Sequence, residues 1–288
     1  MTEQSPTVRH RRLARQLRQE RERAGVTMER AAAALGWSRP KLVRFETAKT
    51  RPRPSDVEAM LDLYGGDEAM KLALVGLAKH VRKRGWWSAF NDVLTGSFAE
   101  LENDAGSIRT WQVQTVPGLL QTSDYALAVI RAGSKDEPEA VQLRRLQARM
   151  ARKAVLERQD GPQFTAVLDE ALLRRSVGGA SVMARQLDAL ADAVRKPNVS
   201  LRVLPASVGE HSGLNGSFVI LGFEGAFDPD VVYVGGVAGE IFIEDVEQVA
   251  RCTVRFDWLT DQALSEDDSL ALIEDLAEEY RRSYESSR

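Results

Sequence analysis

The sequence predicts an α-helical N-terminal domain of five helices, a helix-turn-helix domain, followed by a larger α+β domain. Three observations carry this. The chain has 288 residues, enough for two domains. Its first third is a series of short helical stretches separated by Gly25, Gly36 and Gly65-Gly66. Beyond Gly85, apolar runs of strand length appear between further helical stretches.

The elements follow in order. Residues 1–8 read as a loose tail, with domains at 9–84 and 85–288. Arg9 to Arg23 is a basic helix with Leu13 and Leu17 on one face, stopped by Gly25. Thr27 caps a second helix through Leu35, and Gly36 supplies a turn. Ser38 caps a third helix to about Thr47, with Pro40 tolerable in its first turn. Ser55-Asp56-Val57-Glu58 reads as a capping box for a fourth helix ending at Tyr64. A fifth, from Asp67 to Arg84, carries Met70, Leu74, Leu77 and Val81 as its apolar stripe. In the larger domain, strands are expected at 108–116, 164–168, 199–204, 218–223, 231–234 and 240–243. Helices are expected at 123–132, 137–159, 170–176, 181–196, 245–260 and 268–284, in blocks rather than strict β-α-β alternation.

Composition excludes several classes. The chain is 43% hydrophobic and 28% charged, which is ordinary globular usage and rules out wholesale disorder. No apolar run approaches the length needed to span a membrane, and residues 1–16 lack the apolar core of a secretion signal. A cytoplasmic protein is therefore expected. Cys252 is the single cysteine, and His10, His80 and His211 are far apart, so neither a metal site nor a cofactor is expected. Asp169 and Glu170 are adjacent rather than convergent, and His211 has no evident nucleophile beside it, so no enzyme is expected.

The net charge of −3 conceals an asymmetry. Residues 1–53 hold fourteen Lys and Arg against five Asp and Glu, a net of +9 that leaves −12 on the rest. A basic head on an acidic body points to a polyanionic partner. Helical periodicity puts Leu42, Phe45 and Glu46 on the inner side of the third helix. Pro40, Val43, Arg44 and Thr47 then point outward, with Arg39 at the N-terminal end and Lys41 at the flank.

Leu17-Arg18, Arg21, Ala24-Gly25-Val26-Thr27, Ala32, Leu35-Gly36, Ser38-Arg39 and Arg44-Phe45-Glu46 resemble the xenobiotic-response-element (Xre/Cro/CI) type of helix-turn-helix regulator over roughly residues 9–65. The resemblance implies that the third helix enters the major groove of double-stranded DNA. It also implies that Arg21 and Glu46 form a structural ion pair between helices one and three. Arg39, Val43 and Arg44 are the candidate base contacts, since arginine can chelate guanine and valine can touch a thymine methyl. Thr27, Met28, Ser38, Lys41, Thr47, Lys49 and Arg51 are the candidate phosphate contacts. Two positions depart from the family pattern: Met28 stands where a glutamine is frequent, and Thr47-Ala48 where a glycine often ends the third helix.

Trp86-Trp87, Val116-Pro117-Gly118-Leu119-Leu120-Gln121-Thr122-Ser123-Asp124-Tyr125-Ala126, Leu168-Asp169-Glu170-Ala171-Leu172, Gln186-Leu187-Asp188-Ala189-Leu190, Leu204-Pro205 and His211 to Phe218 are similar to a domain of unknown function fused to this module in antitoxin-like bacterial regulators. That resemblance implies a regulator often encoded beside a small partner protein. A homodimer on paired half-sites is the expected DNA-binding form. A small neighbour-encoded protein and a small-molecule effector are the alternative partners.

Overall fold

The computed structural model describes residues 7–82, 85–94, 97–224 and 228–286. It divides into two compact units, Met1–Gly85 with Glu224–Pro229, and Trp86–Phe223 with Asp230–Arg288.

The first unit is helical: α1 (Val8–Arg23), α2 (Met28–Ala34), α3 (Arg39–Glu46), α4 (Pro54–Tyr64) and α5 (Glu68–Arg82). The hydroxyls of Thr7, Thr27 and Ser38 accept from the backbone N–H three residues on and so cap the first three helices. One closing geometry is repeated after each of them. Val26, Trp37 and Lys49 donate backbone N–H bonds to the carbonyls of Arg21, Ala32 and Arg44, five residues back. The intervening residue takes positive φ each time: 65° at Gly25, 65° at Gly36 and 55° at Ala48. Leu13, Leu17, Ala32, Leu42, Phe45 and Leu61 are buried in one core, closed by Leu74, Leu77 and Val81 of α5. Each fully buried leucine stabilises by roughly 1.5–3 kcal/mol.

One expectation for this unit is corrected, and another cannot be compared. Ser55 to Glu58 is not the cap of α4. Arg53 occupies the N-cap, and the Asp56 carboxylate accepts from its N–H at 2.9 Å. Pro54 fixes the start, because it lacks an N–H and its φ suits the first helical position. The expected end of α5 at 83–84 lies outside the described residues.

The second unit begins with a 3₁₀ turn, Trp86–Phe90, then α6 (Phe98–Asp104), β1 (Ser107–Gln112), α7 (Ser123–Gly133) and α8 (Glu139–Arg152). β2 (Gln163–Asp169), α9 (Glu170–Leu173), α10 (Ala180–Ala193) and β3 (Val199–Leu204) follow. The chain closes with β4 (Phe218–Gly222), β5 (Val231–Gly236), β6 (Gly239–Ile243), α11 (Val246–Gln262) and α12 (Glu266–Ser286). One six-stranded sheet results, in the order β3-β2-β1-β4-β5-β6. β1, β2 and β3 are parallel and joined by helical crossovers, whereas β4 to β6 add as an antiparallel meander. The first half of the sheet thus does alternate strand and helix.

Several expected bounds shift. β1 stops at Gln112 because the next N–H groups leave the ladder: Val113 donates to Ser217 Oγ and Val116 to Tyr125 Oη. The long helix expected over 137–159 begins after Pro138 and ends at Arg152, continuing as a 3₁₀ turn, Lys153–Glu157. The chain then turns tightly at Gly161, where a Cβ would lie 2.9 Å from the Val155 carbonyl. The helix expected at 170–176 is a single turn.

Register sorts the sheet residues onto two faces. Trp111, Val167, Ile220 and Val232 share one face and pack with Val249, Phe256 and Leu259 of α11. Ile108, Phe164, Val219 and Tyr233 share the other, which walls a cavity of about 550 Å³.

Candidate nucleic-acid interface

α3 is short, polar and held from beneath. Leu42, Phe45 and Glu46 are buried, while Arg39, Pro40, Arg44 and Thr47 are exposed and Val43 is half-buried. Trp37 meets Phe45 edge-on at 5.8 Å and props the start of the helix. Beneath its end lies a buried, bidentate ion pair. Arg21 Nε and Nη2 each donate to a Glu46 carboxylate oxygen at 2.8 Å, and Arg21 Nη1 donates to the Val26 carbonyl at 3.0 Å. Arg21 therefore ties α1, the turn before α2, and α3 together. Beside this pair, burial and the Glu46 charge push the Tyr64 hydroxyl well above the ordinary tyrosine pKa.

The candidate DNA contacts divide by what already holds them. Arg44 and Lys49 are exposed and have no side-chain partner among the described residues. Arg51 is also exposed. Arg39 Nε donates to Glu29 Oε1 at 2.8 Å, so it must exchange that carboxylate to reach a base. Lys41 Nζ donates to Asp56 Oδ1 at 3.0 Å and lies 3.7 Å from the centre of the Trp37 ring. Its ammonium is thus already balanced and half-buried. Met28 packs on the core, and its thioether has no proton to give a phosphate. The Thr27 and Ser38 oxygens accept as helix caps, leaving each hydroxyl proton for an outside acceptor. Thr47 directs its hydroxyl to the Val43 carbonyl at 2.7 Å, which removes that proton from reach of a phosphate.

Glu29, Asp56 and Trp37 were missed in the sequence because their roles are contacts between helices. Asp56 alone left a signal, an acid three residues past Arg53 in front of an apolar run. Part of the basic charge of α1 is also neutralised within this unit: Arg9 and Arg12 both bind the Asp228 carboxylate, Arg9 Nη2 at 2.7 Å.

In the second unit the motif residues pack upon one another. The Gln186 amide accepts from Thr122 N–H at 2.7 Å and donates to the Leu120 carbonyl at 2.9 Å. Gln121 donates to the Val116 carbonyl at 2.8 Å. Trp111 Nε1 donates to the Gly213 carbonyl at 2.9 Å, and His211 stands edge-on to the same indole. Asp169 caps α9, and Glu170 accepts from Ala206 N–H at the start of the 3₁₀ turn Ala206–Val208.

A short third helix that follows a tight turn, packs Leu42 and Phe45 on a buried core and exposes Arg39 and Arg44 is the arrangement of a helix-turn-helix domain, which suggests a DNA-binding regulator. Residues 12–74 match the model of a helix-turn-helix domain. Residues 95–275 match the model described as Domain of unknown function (DUF5753), and since this spans more than half of the chain, the protein belongs to that family. No curated protein and no solved structure matches the chain. Among the described residues no helix is long and apolar enough to cross a membrane, and no cluster of His, Cys, Asp or Glu is arranged to hold a metal ion.

Proposed function

We propose that this protein is a sequence-specific transcriptional regulator of the cytoplasm, with α3 in the major groove and two copies on paired half-sites. The observation that carries this reading is the outward stripe of Arg39, Val43, Arg44 and Thr47 on a helix whose inner side is locked by Leu42, Phe45 and the Arg21–Glu46 pair. Arg44 is the principal base reader, because an arginine held by no carboxylate can chelate guanine O6 and N7. Arg39 is the second, after release from Glu29. Lys49 and Arg51 hold phosphates, joined by the Thr27 and Ser38 hydroxyls at helix starts. Lys41 orients α3 through Asp56 and Trp37 rather than serving as a primary phosphate contact. The larger domain performs no catalysis in this reading.

Footprinting of the full chain on DNA flanking its own gene, over a salt series, tests the proposal. A protected near-palindrome with half-sites one helical turn apart, or a multiple, and a steep salt dependence is the expected result. Absence of protection at low salt overturns it.

An antitoxin-like reading, in which the larger domain engages a small protein, is favoured by one feature. The outer side of α11 exposes Val246, Val254 and Trp258, three apolar side chains opposite its core face. Co-purification of a small neighbour-encoded protein, lost on Trp258→Glu, would support it.

A further inference from the structure

The cavity of about 550 Å³ in the second unit falls within the roughly 300–1,000 Å³ range of small-molecule sites. Ile108, Phe164 and Val219 of the sheet form one apolar wall, and Val116, Leu119 and Ile130 form part of the rest. Arg145, Arg149 and Arg152 enter the lining from α8, where spacings of four and three put them on one stripe.

These three arginines are not equivalent. Arg152 is chelated by Glu102 at 2.8 and 2.7 Å. Arg145 Nη2 is paired with Glu137 at 2.7 Å, but its Nε is buried with no hydrogen-bond partner among the described residues. Arg149 donates at 3.0 Å to a neutral group, Gln121 Oε1, and among the described residues no carboxylate lies within ion-pair distance of it. None of the three acids of the lining pairs with this guanidinium: Glu102 is committed to Arg152, Glu240 lies against the Tyr233 hydroxyl at 3.4 Å, and Glu100, buried on α6, makes its contact elsewhere. Burial, with Arg152 and Arg145 nearby, pushes the Arg149 guanidinium down to about 10. A half-buried cation without a counter-ion is costly, and a bound anion relieves that cost.

We infer that this cavity binds a small amphipathic acid, its anionic group chelated by Arg149 beside the free Nε of Arg145 and its apolar body laid against Ile108, Phe164 and Val219. The anionic group is one an arginine fork can hold, a carboxylate or a phosphate monoester. The inference goes beyond the DNA-binding reading and does not depend on it.

Titration of the full chain with two dyes of matched body tests it: anilinonaphthalene sulfonate, and the neutral phenylnaphthylamine. The sulfonate is expected to bind saturably at one site, about tenfold or more tighter than the neutral dye. Arg149→Met is expected to lower sulfonate affinity to that of the neutral dye and leave the neutral dye unchanged. Arg149→Lys retains part of the preference, and circular dichroism verifies that both variants fold. Displacement by octanoate assigns the anionic group as carboxylate, and by octyl phosphate as phosphate. Equal sulfonate affinity in wild type and Arg149→Met, or displacement by octanol as effective as by either acid, overturns the site. Failure of the footprint would leave this titration untouched, so the two readings fail separately.

Discussion

Arg21 and Glu46 are joined by two parallel 2.8 Å hydrogen bonds between helices 25 residues apart in sequence, with both side chains almost wholly buried. Removing one partner strands a buried charge. Glu46→Ala is expected to destabilise the helical domain by about 3–5 kcal/mol. Replacing both by apolar residues, Arg21→Met with Glu46→Leu, is expected to recover most of that loss, since neither charge is then left unpaired. Chemical denaturation of the single and double variants measures the difference, and equal losses would refute this account.

Ala48 adopts φ 55° where Gly25 and Gly36 adopt φ 65° in the same closing geometry. A left-handed alanine costs about 1–2 kcal/mol, offset in part by the greater freedom of glycine in the unfolded chain. Ala48→Gly is therefore expected to stabilise by about 0.5–1 kcal/mol. Ala48→Val is expected to destabilise, as a β-branched residue tolerates positive φ poorly. Melting temperatures of the two variants should fall on opposite sides of the wild type.

His10 is buried, and its Nε2 bonds the Thr50 carbonyl at 3.1 Å just beyond α3, which requires Nε2 to donate. Burial is the main cause that holds its pKa below the ordinary 6.5. The unfolded chain therefore takes up this proton first as pH falls. The stability contributed by the neutral ring is present above the unfolded pKa, and is lost as pH falls from there through the folded value. Wild type should lose stability more steeply than His10→Gln on acidification, by up to about one proton of linkage. Parallel pH curves for the two proteins would show that His10 is not responsible.

Arg44 and Lys49 are both exposed cations without a side-chain partner among the described residues, yet different outcomes are expected. Arg44→Ala should relax specificity at one base position and cost about 1–3 kcal/mol on the best site. Lys49→Ala should weaken all sequences alike and flatten the salt slope by about one. Selection from a randomised DNA pool, with a salt series, separates them. An Arg44→Ala protein with unaltered preference would remove α3 from the groove.

Gly213 leaves no room for a side chain, because an added Cβ would collide with the Trp111 indole that donates to its carbonyl. Trp111 is fully buried at the centre of the sheet. Gly213→Ala is expected to destabilise the larger domain by roughly 1–3 kcal/mol or to prevent its folding. Tryptophan fluorescence during unfolding reads the change, and a wild-type transition would rule out the close packing.

What was legible in the sequence was local. Thr27, Ser38, Gly25 and Gly36 mark helix ends because caps and left-handed turns are made within five residues of chain. The inward positions of Leu42, Phe45 and Glu46 follow from helical periodicity alone. Val199 to Leu204 reads as a strand because apolar Val199, Leu201 and Val203 alternate with polar Ser200 and Arg202. The start of α4 differs from the sequence expectation because Ser55 and Glu58 satisfy a capping pattern that Pro54 pre-empts one residue earlier.

The tertiary structure alone decided which charges are free. Arg39, Lys41 and Arg44 are alike as sequence, but Glu29 holds the first and Asp56 the second, from helices ten and fifteen residues away. Sheet order was equally hidden, since β1 lies between β2 and β4 through contacts that close long loops. Gln186 completes the turn at Leu120 to Thr122 across 64 or more residues. Arg149 stands out in its cavity only because its two neighbours on α8 find carboxylates and it does not. Hydrogen bonding within a few residues can be read from order along the chain, whereas the pairing of buried charges depends on which distant segment arrives beside them.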